Sequence, residues 1–93
     1  MDGQEAAEAL ALRALVWMLD DDDRAGVFMA ATGAAPADLA AGARDPAFLG
    51  AVLDFVLADE ARVIAFCTAE NLAFDRPMRA RMALPGGDQP HWT

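Results

Sequence analysis

Several groups of residues in this chain could carry chemistry, and their spacing says which chemistry each could support. The run Asp20-Asp21-Asp22-Asp23 comes first, since clustered carboxylates hold divalent cations. Counted as a calcium loop from Asp21, it offers Asp23 at the third position and Gly26 at the sixth, but Ala25 takes the fifth position and Thr32 the twelfth, where ligands belong. The run is expected instead to cap a helix, its oxygens accepting from amides at a helix start, with no metal bound. Cys67 and His91 are each the only residue of their kind, and a thiolate with an imidazole can make a nucleophile. Cys67, however, shares an apolar stripe with Val63 and Phe66, where cysteine behaves as a small hydrophobe, and His91 lies in a tail that holds nothing in place. Asp59 with Glu60, or Asp54 with Glu60, could run acid/base chemistry in a cleft, but the pattern sets them on a solvated face. Ser and Lys are absent, which removes serine nucleophiles, Schiff-base chemistry and a Walker-type phosphate loop. No catalytic residue, metal or cofactor is assigned.

Two further groups point to binding. Residues 76–93 hold three Arg and one Asp, a balance of +2, whereas residues 1–75 hold four Arg and fourteen acids, a balance of −10. Arg76 and Arg79 stand one helical turn apart with Arg81 beside them, and guanidinium forks suit carboxylate or phosphate; pairing with the protein's own acids is the competing use. The other group is on the first helix, where one apolar stripe carries Leu12, Leu15, Val16 and Leu19 and a second, nearly opposite, carries Leu10, Ala14 and Trp17. Either the helix is sandwiched, or the Trp17 stripe is partly exposed and meets a partner or a second copy. The binding candidates are therefore Trp17, Leu10, Arg76, Arg79 and Arg81.

The elements that must position these residues read clearly. Alanine, the best helix former, supplies 23 of the 93 residues, and alternating strand formers are missing. A helix is predicted from about Gln4 to Leu19, and a second, capped within the acid run, ends before Gly33. Pro36 opens a short third through about Ala43. Asp45 and Pro46 start a fourth, Asp59 caps a fifth ending near Asn71, and Asp75 with Pro77 opens a sixth to about Leu84. The fold expected is all-α, a compact bundle of about six helices in a single domain spanning 1–93, ordered over about 4–84 with a flexible tail at 85–93.

Composition narrows the setting. A hydrophobic fraction of 56% with 24% charged residues is too apolar for a disordered chain. The net charge of −8 repels phosphate backbones and anionic membranes, and the helix over Glu60 to Glu70 offers only Arg62 as a cation, so neither DNA nor a membrane is an expected partner. The lone Cys67, the acidic start and the lack of a long apolar run point to the cytoplasm.

Sliding the chain by 38 residues lays Ala11 to Ala35 on Leu49 to Ala73 with seven of 25 positions identical. Leu15, Leu19, Asp21, Arg24 and Phe28 meet Leu53, Leu57, Asp59, Arg62 and Phe66; Trp17 meets Phe55, and Gly33 meets Asn71 at the two expected caps. This suggests two tandem units of two longer helices and one short one.

Thr32-Gly33 with Pro36-x-Asp38-Leu39, then Asp45-Pro46-x-Phe48-Leu49, Val52-Leu53-Asp54-Phe55, Asp59-Glu60, Phe66-Cys67 and Leu84-Pro85-Gly86, resembles a family of short helical alphaproteobacterial proteins catalogued only as a domain of unknown function. The resemblance spans about Ala6 to Gly86 and implies a bacterial cytoplasmic protein of helical fold, with no functional residues to carry over. The function expected is a non-catalytic helical module that binds another protein or itself. The alternative is a small carboxylate- or metal-dependent enzyme.

Overall fold

The computed structural model describes residues 3–85, which form six helices and no strand. They are α1 (Gly3–Leu19), α2 (Asp22–Thr32), α3 (Pro36–Gly42), α4 (Pro46–Leu57), α5 (Glu60–Glu70) and α6 (Arg76–Met82). The expected flexible tail lies outside the described residues beyond Pro85, and so does His91.

Aspartates start three of the six helices by satisfying amides that have no partner within the helix. The Asp21 carboxylate accepts from the Arg24 amide, that of Asp45 from Ala47, and that of Asp59 from Ala61, each at 3.0 Å. Pro46 sits in the first turn of α4, where its missing N–H costs nothing. Asp75 departs from the pattern: it occupies the cap position of α6 in a helical conformation and makes no capping bond, its carboxylate lying 3.8 Å from Arg79 instead. At the other ends, α2 stops where Gly33 turns left-handed at φ 74°, and α5 stops where Asn71 does so at φ 58°. The last helix ends at Met82, earlier than expected, and Leu84 drops back into the core.

The core forms where α1 and α4 pack together, with α2 and α6 against both and α5 against α4. Buried positions on α1 are Ala7, Leu10, Ala11, Ala14, Leu15 and Met18, and on α4 Leu49, Val52, Leu53 and Val56, the three-and-four spacing of one helical face. Phe28 from α2 and Phe66 from α5 are fully buried against that pair.

Positions 38 apart in sequence make matching contacts. Arg24 donates from Nε to the Trp17 carbonyl at 3.0 Å and lies over the Trp17 ring, 4.3 Å from its centroid. Arg62 donates to the Phe55 carbonyl and lies over the Phe55 ring at 3.8 Å. Each arginine thus folds back on the helix before it, satisfying a carbonyl seven residues upstream and covering an aromatic face. The rings cross over: Trp17 packs on Phe66 at 5.5 Å and Phe55 on Phe28 at 5.3 Å.

Candidate functional site

Three of the five candidate binding residues come together. The first turns of α1 and the exposed side of α6 enclose a cleft of about 360 Å³, with Gly3, Ala6, Ala7 and Leu10 on one wall and Arg76, Arg79, Ala80 and Ala83 on the other. Leu10 corrects one expectation: it is 2% exposed and belongs to the core, so it cannot serve as part of an exposed stripe and instead forms the inner wall of the cleft.

Arg81 does not join Arg76 and Arg79. Its Nε donates to the Asp54 carboxylate at 2.7 Å and a terminal nitrogen donates to the Pro85 carbonyl at 3.1 Å. The side chain is largely buried and ties α6 to α4. There it runs past Gly50, where an added Cβ would come within 3.1 Å of the guanidinium carbon.

Trp17 is partly buried, packed on Phe66 and covered by Arg24. The exposed large apolar residues of α1 are Leu12 and Val16, the latter 66% exposed, from the stripe opposite that of Trp17. The bundle covers neither stripe whole: it buries Leu10 and Ala14 from one and Leu15 from the other, so the core face runs between the two. Leu15 is buried with Leu10 because three-and-four spacing lets the boundary between them fall inside the core face.

Two of the three carboxylates considered for catalysis have structural partners, and Glu60 is the exception. Asp54 binds Arg81, and Asp59 caps α5 while lying 3.9 Å from Arg62. Within the acid run, Asp21 is the cap, and Asp22 and Asp23 sit in the first turn of α2 near its positive end. Among the described residues, no three His, Cys, Asp or Glu side chains converge on a point that could hold a metal ion. Cys67 is buried; its Sγ is 3.5 Å from the Ala73 carbonyl, and burial pushes the thiol pKa up, with the Asp75 carboxylate adding to the shift.

One surface was missed at the level of sequence. Phe74, Met78 and Met82, at spacings of four, make a stripe along the outer side of α6, with exposures of 58%, 52% and 55%. Beside it α5 contributes Val63 and Ile64, and with Leu57 and Glu60 they border a groove of about 370 Å³. The spacing of residues 74, 78 and 82 was the available signal, masked by the arginines interleaved with it. The Glu60 side chain makes no hydrogen bond or ion pair among the described residues.

No described helix is long and apolar enough to cross a membrane. Residues 4–87 match the family model described as "Protein of unknown function (DUF3572)". No curated protein and no solved structure matches the chain.

Proposed function

The chain belongs to the DUF3572 family, whose description assigns no activity, and we propose that it is a non-catalytic protein-binding module whose groove between α5 and α6 receives a cationic amphipathic helix of a partner protein. The observation that carries this reading is that the exposed apolar side chains of Ile64, Phe74 and Met78 line one groove, with Met82 exposed one turn beyond Met78. Apolar side chains of this size do not gather on a surface by default, and methionine's unbranched, polarisable chain adapts to a partner's shape. A helix laid in the groove would bury them as anchors at three-and-four spacing. Charge favours a basic partner: Glu60 stands unneutralised at the rim, and the whole protein carries −8. The same charge opposes association of two copies at low salt.

The scaffold is read as one helical hairpin used twice. The support is the paired placement of Asp21 with Asp59, Arg24 with Arg62, and Gly33 with Asn71, together with the crossed ring contacts. A cytoplasmic location fits the single, buried, unpaired cysteine.

The test uses a fluorescent synthetic Leu/Lys peptide of about 15 residues, long enough to form a helix, and a scrambled peptide of equal composition without the amphipathic spacing. Saturable one-to-one binding of the first, weakened by salt and by Glu60→Gln and abolished by Met78→Asp in a variant that keeps its helical circular dichroism, is the expected result. Equal binding of the scrambled peptide, or retention by Met78→Asp, would overturn the proposal. So would sedimentation showing that the groove is closed by a second copy.

A further inference from the structure

The cleft between α1 and α6 differs in its charge from three other grooves among the described residues. Those three grooves each include at least one carboxylate: Asp23 in one, Asp20 and Glu70 in a second, Glu60 in a third. Among the described residues, the α1/α6 cleft has no acid on its walls and two arginines. In a chain with 15 acids and 7 bases, a cavity with that balance is a local reversal of sign.

Among the described residues, Arg76 and Arg79 share with Arg44 the fewest side-chain partners of the seven arginines, and they are the two that face this cavity. Arg13 binds the Glu70 carboxylate and carbonyl, Arg24 and Arg62 bind helix carbonyls, and Arg81 binds Asp54 and Pro85. The Arg76 side chain makes no hydrogen bond or ion pair among the described residues; its backbone amide donates to the Ala73 carbonyl at 3.1 Å. Arg79 has only the loose 3.8 Å approach to Asp75, with both side chains well into solvent. They stand at i and i+3 on α6, on the same side of the helix, so both forks can reach one planar or tetrahedral anion. Below them the walls are apolar and small, set by Ala6, Ala7 and Ala80 with Leu10 behind. Side chains of this size leave the space empty and give it no polar group of its own.

We propose that this cleft binds a small amphiphilic organic anion, its carboxylate or phosphate head held by Arg76 and Arg79 and its short apolar body lying against Ala7, Leu10 and Ala80. The two halves of the cavity ask for the two halves of such a molecule: a head that neutralises the guanidinium pair, and a body that makes no demand for hydrogen bonds. The site is separate from the α5/α6 groove and does not depend on its occupant.

Calorimetric titration of the full chain with octanoate and with octyl phosphate tests this, with octanol and inorganic phosphate as probes of body and head alone. One of the amphiphiles should bind saturably at one equivalent, at least about tenfold tighter than octanol or phosphate, as loss of a charged hydrogen-bonded pair implies. The tighter of the two heads identifies the ligand as a carboxylate or a phosphate ester. Arg76→Gln with Arg79→Gln should lower that affinity by about tenfold or more. Ala83→Phe, a substitution at an exposed position on the cleft wall, should block it, and Arg44→Gln should leave it unchanged. The proposal fails if neither amphiphile saturates, if octanol binds as well, or if the double variant binds like the parent while retaining its helical circular dichroism.

Discussion

The ring of Trp17 packs on that of Phe66 with centroids 5.5 Å apart and planes inclined at 56°. Trp17 is on α1 and Phe66 on α5, so the tryptophan joins helices from opposite halves of the chain. It is held from another direction by the Arg24 guanidinium. Replacement of Trp17 by Ala should therefore destabilise the monomer, by about 2 to 4 kcal/mol for a large, partly buried aromatic, read as a lower urea midpoint. A variant with unchanged stability that loses only association would instead make Trp17 an interface residue.

Arg24 and Arg62 occupy corresponding places, and their removal should have corresponding costs. Each Arg→Ala change gives up a charged hydrogen bond to a carbonyl and an aromatic contact, together about 1 to 2 kcal/mol. Chemical denaturation of the two variants should give losses within about 0.5 kcal/mol of each other, the usual error on such differences. Unequal losses would mean that the two turns are alike in outline only.

Glycines separate into those the packing requires and those it does not. An added Cβ at Gly42 would lie 2.6 Å from the Phe48 ring, so Gly42→Ala must displace a half-buried aromatic and should cost about 1 to 3 kcal/mol. Gly26, inside α2 with open space around it, should behave in the opposite way: Gly26→Ala should raise stability by about 0.5 to 1 kcal/mol. Melting temperatures of the two single variants measure both.

Cys67 should be silent in native chemistry and visible in alkaline stability. Burial raises its folded pKa above the usual thiol value, so between the unfolded and folded pKa values the unfolded state has given up a proton that the folded state retains. Its contribution to stability is full below the unfolded pKa and is lost as pH rises through that window. Cys67→Ala should flatten the alkaline fall in stability, and iodoacetamide should label the parent only on unfolding. Rapid native labelling would contradict the burial.

Most of the fold was legible because its signals are local. Asp21, Asp45 and Asp59 cap the helices they precede, and Gly33 and Asn71 end theirs in the left-handed conformation, all from short-range backbone chemistry. What failed needed tertiary information. Leu10 is buried and Val16 exposed, since the wheel separates faces without saying where between them α4 and α6 will set the core. Arg81 lies within sequence reach of Arg76 and Arg79 but points to Asp54, 27 residues earlier, a pairing that no spacing rule encodes. The convergence of Leu10 with Arg76 and Arg79 likewise depends on how α1 meets α6.

The Arg81 guanidinium crosses α4 at Gly50, close enough that a methyl group there would press on it at 3.1 Å. Position 50 is therefore small on account of a residue 31 places later, and Asp54 anchors the same side chain one turn further along. Direct contact therefore couples these three positions. A chain that loses the guanidinium at 81 frees position 50 to grow and position 54 to lose its charge, whereas growth at 50 alone meets an occupied space. Drift should therefore enter this part of the fold through position 81.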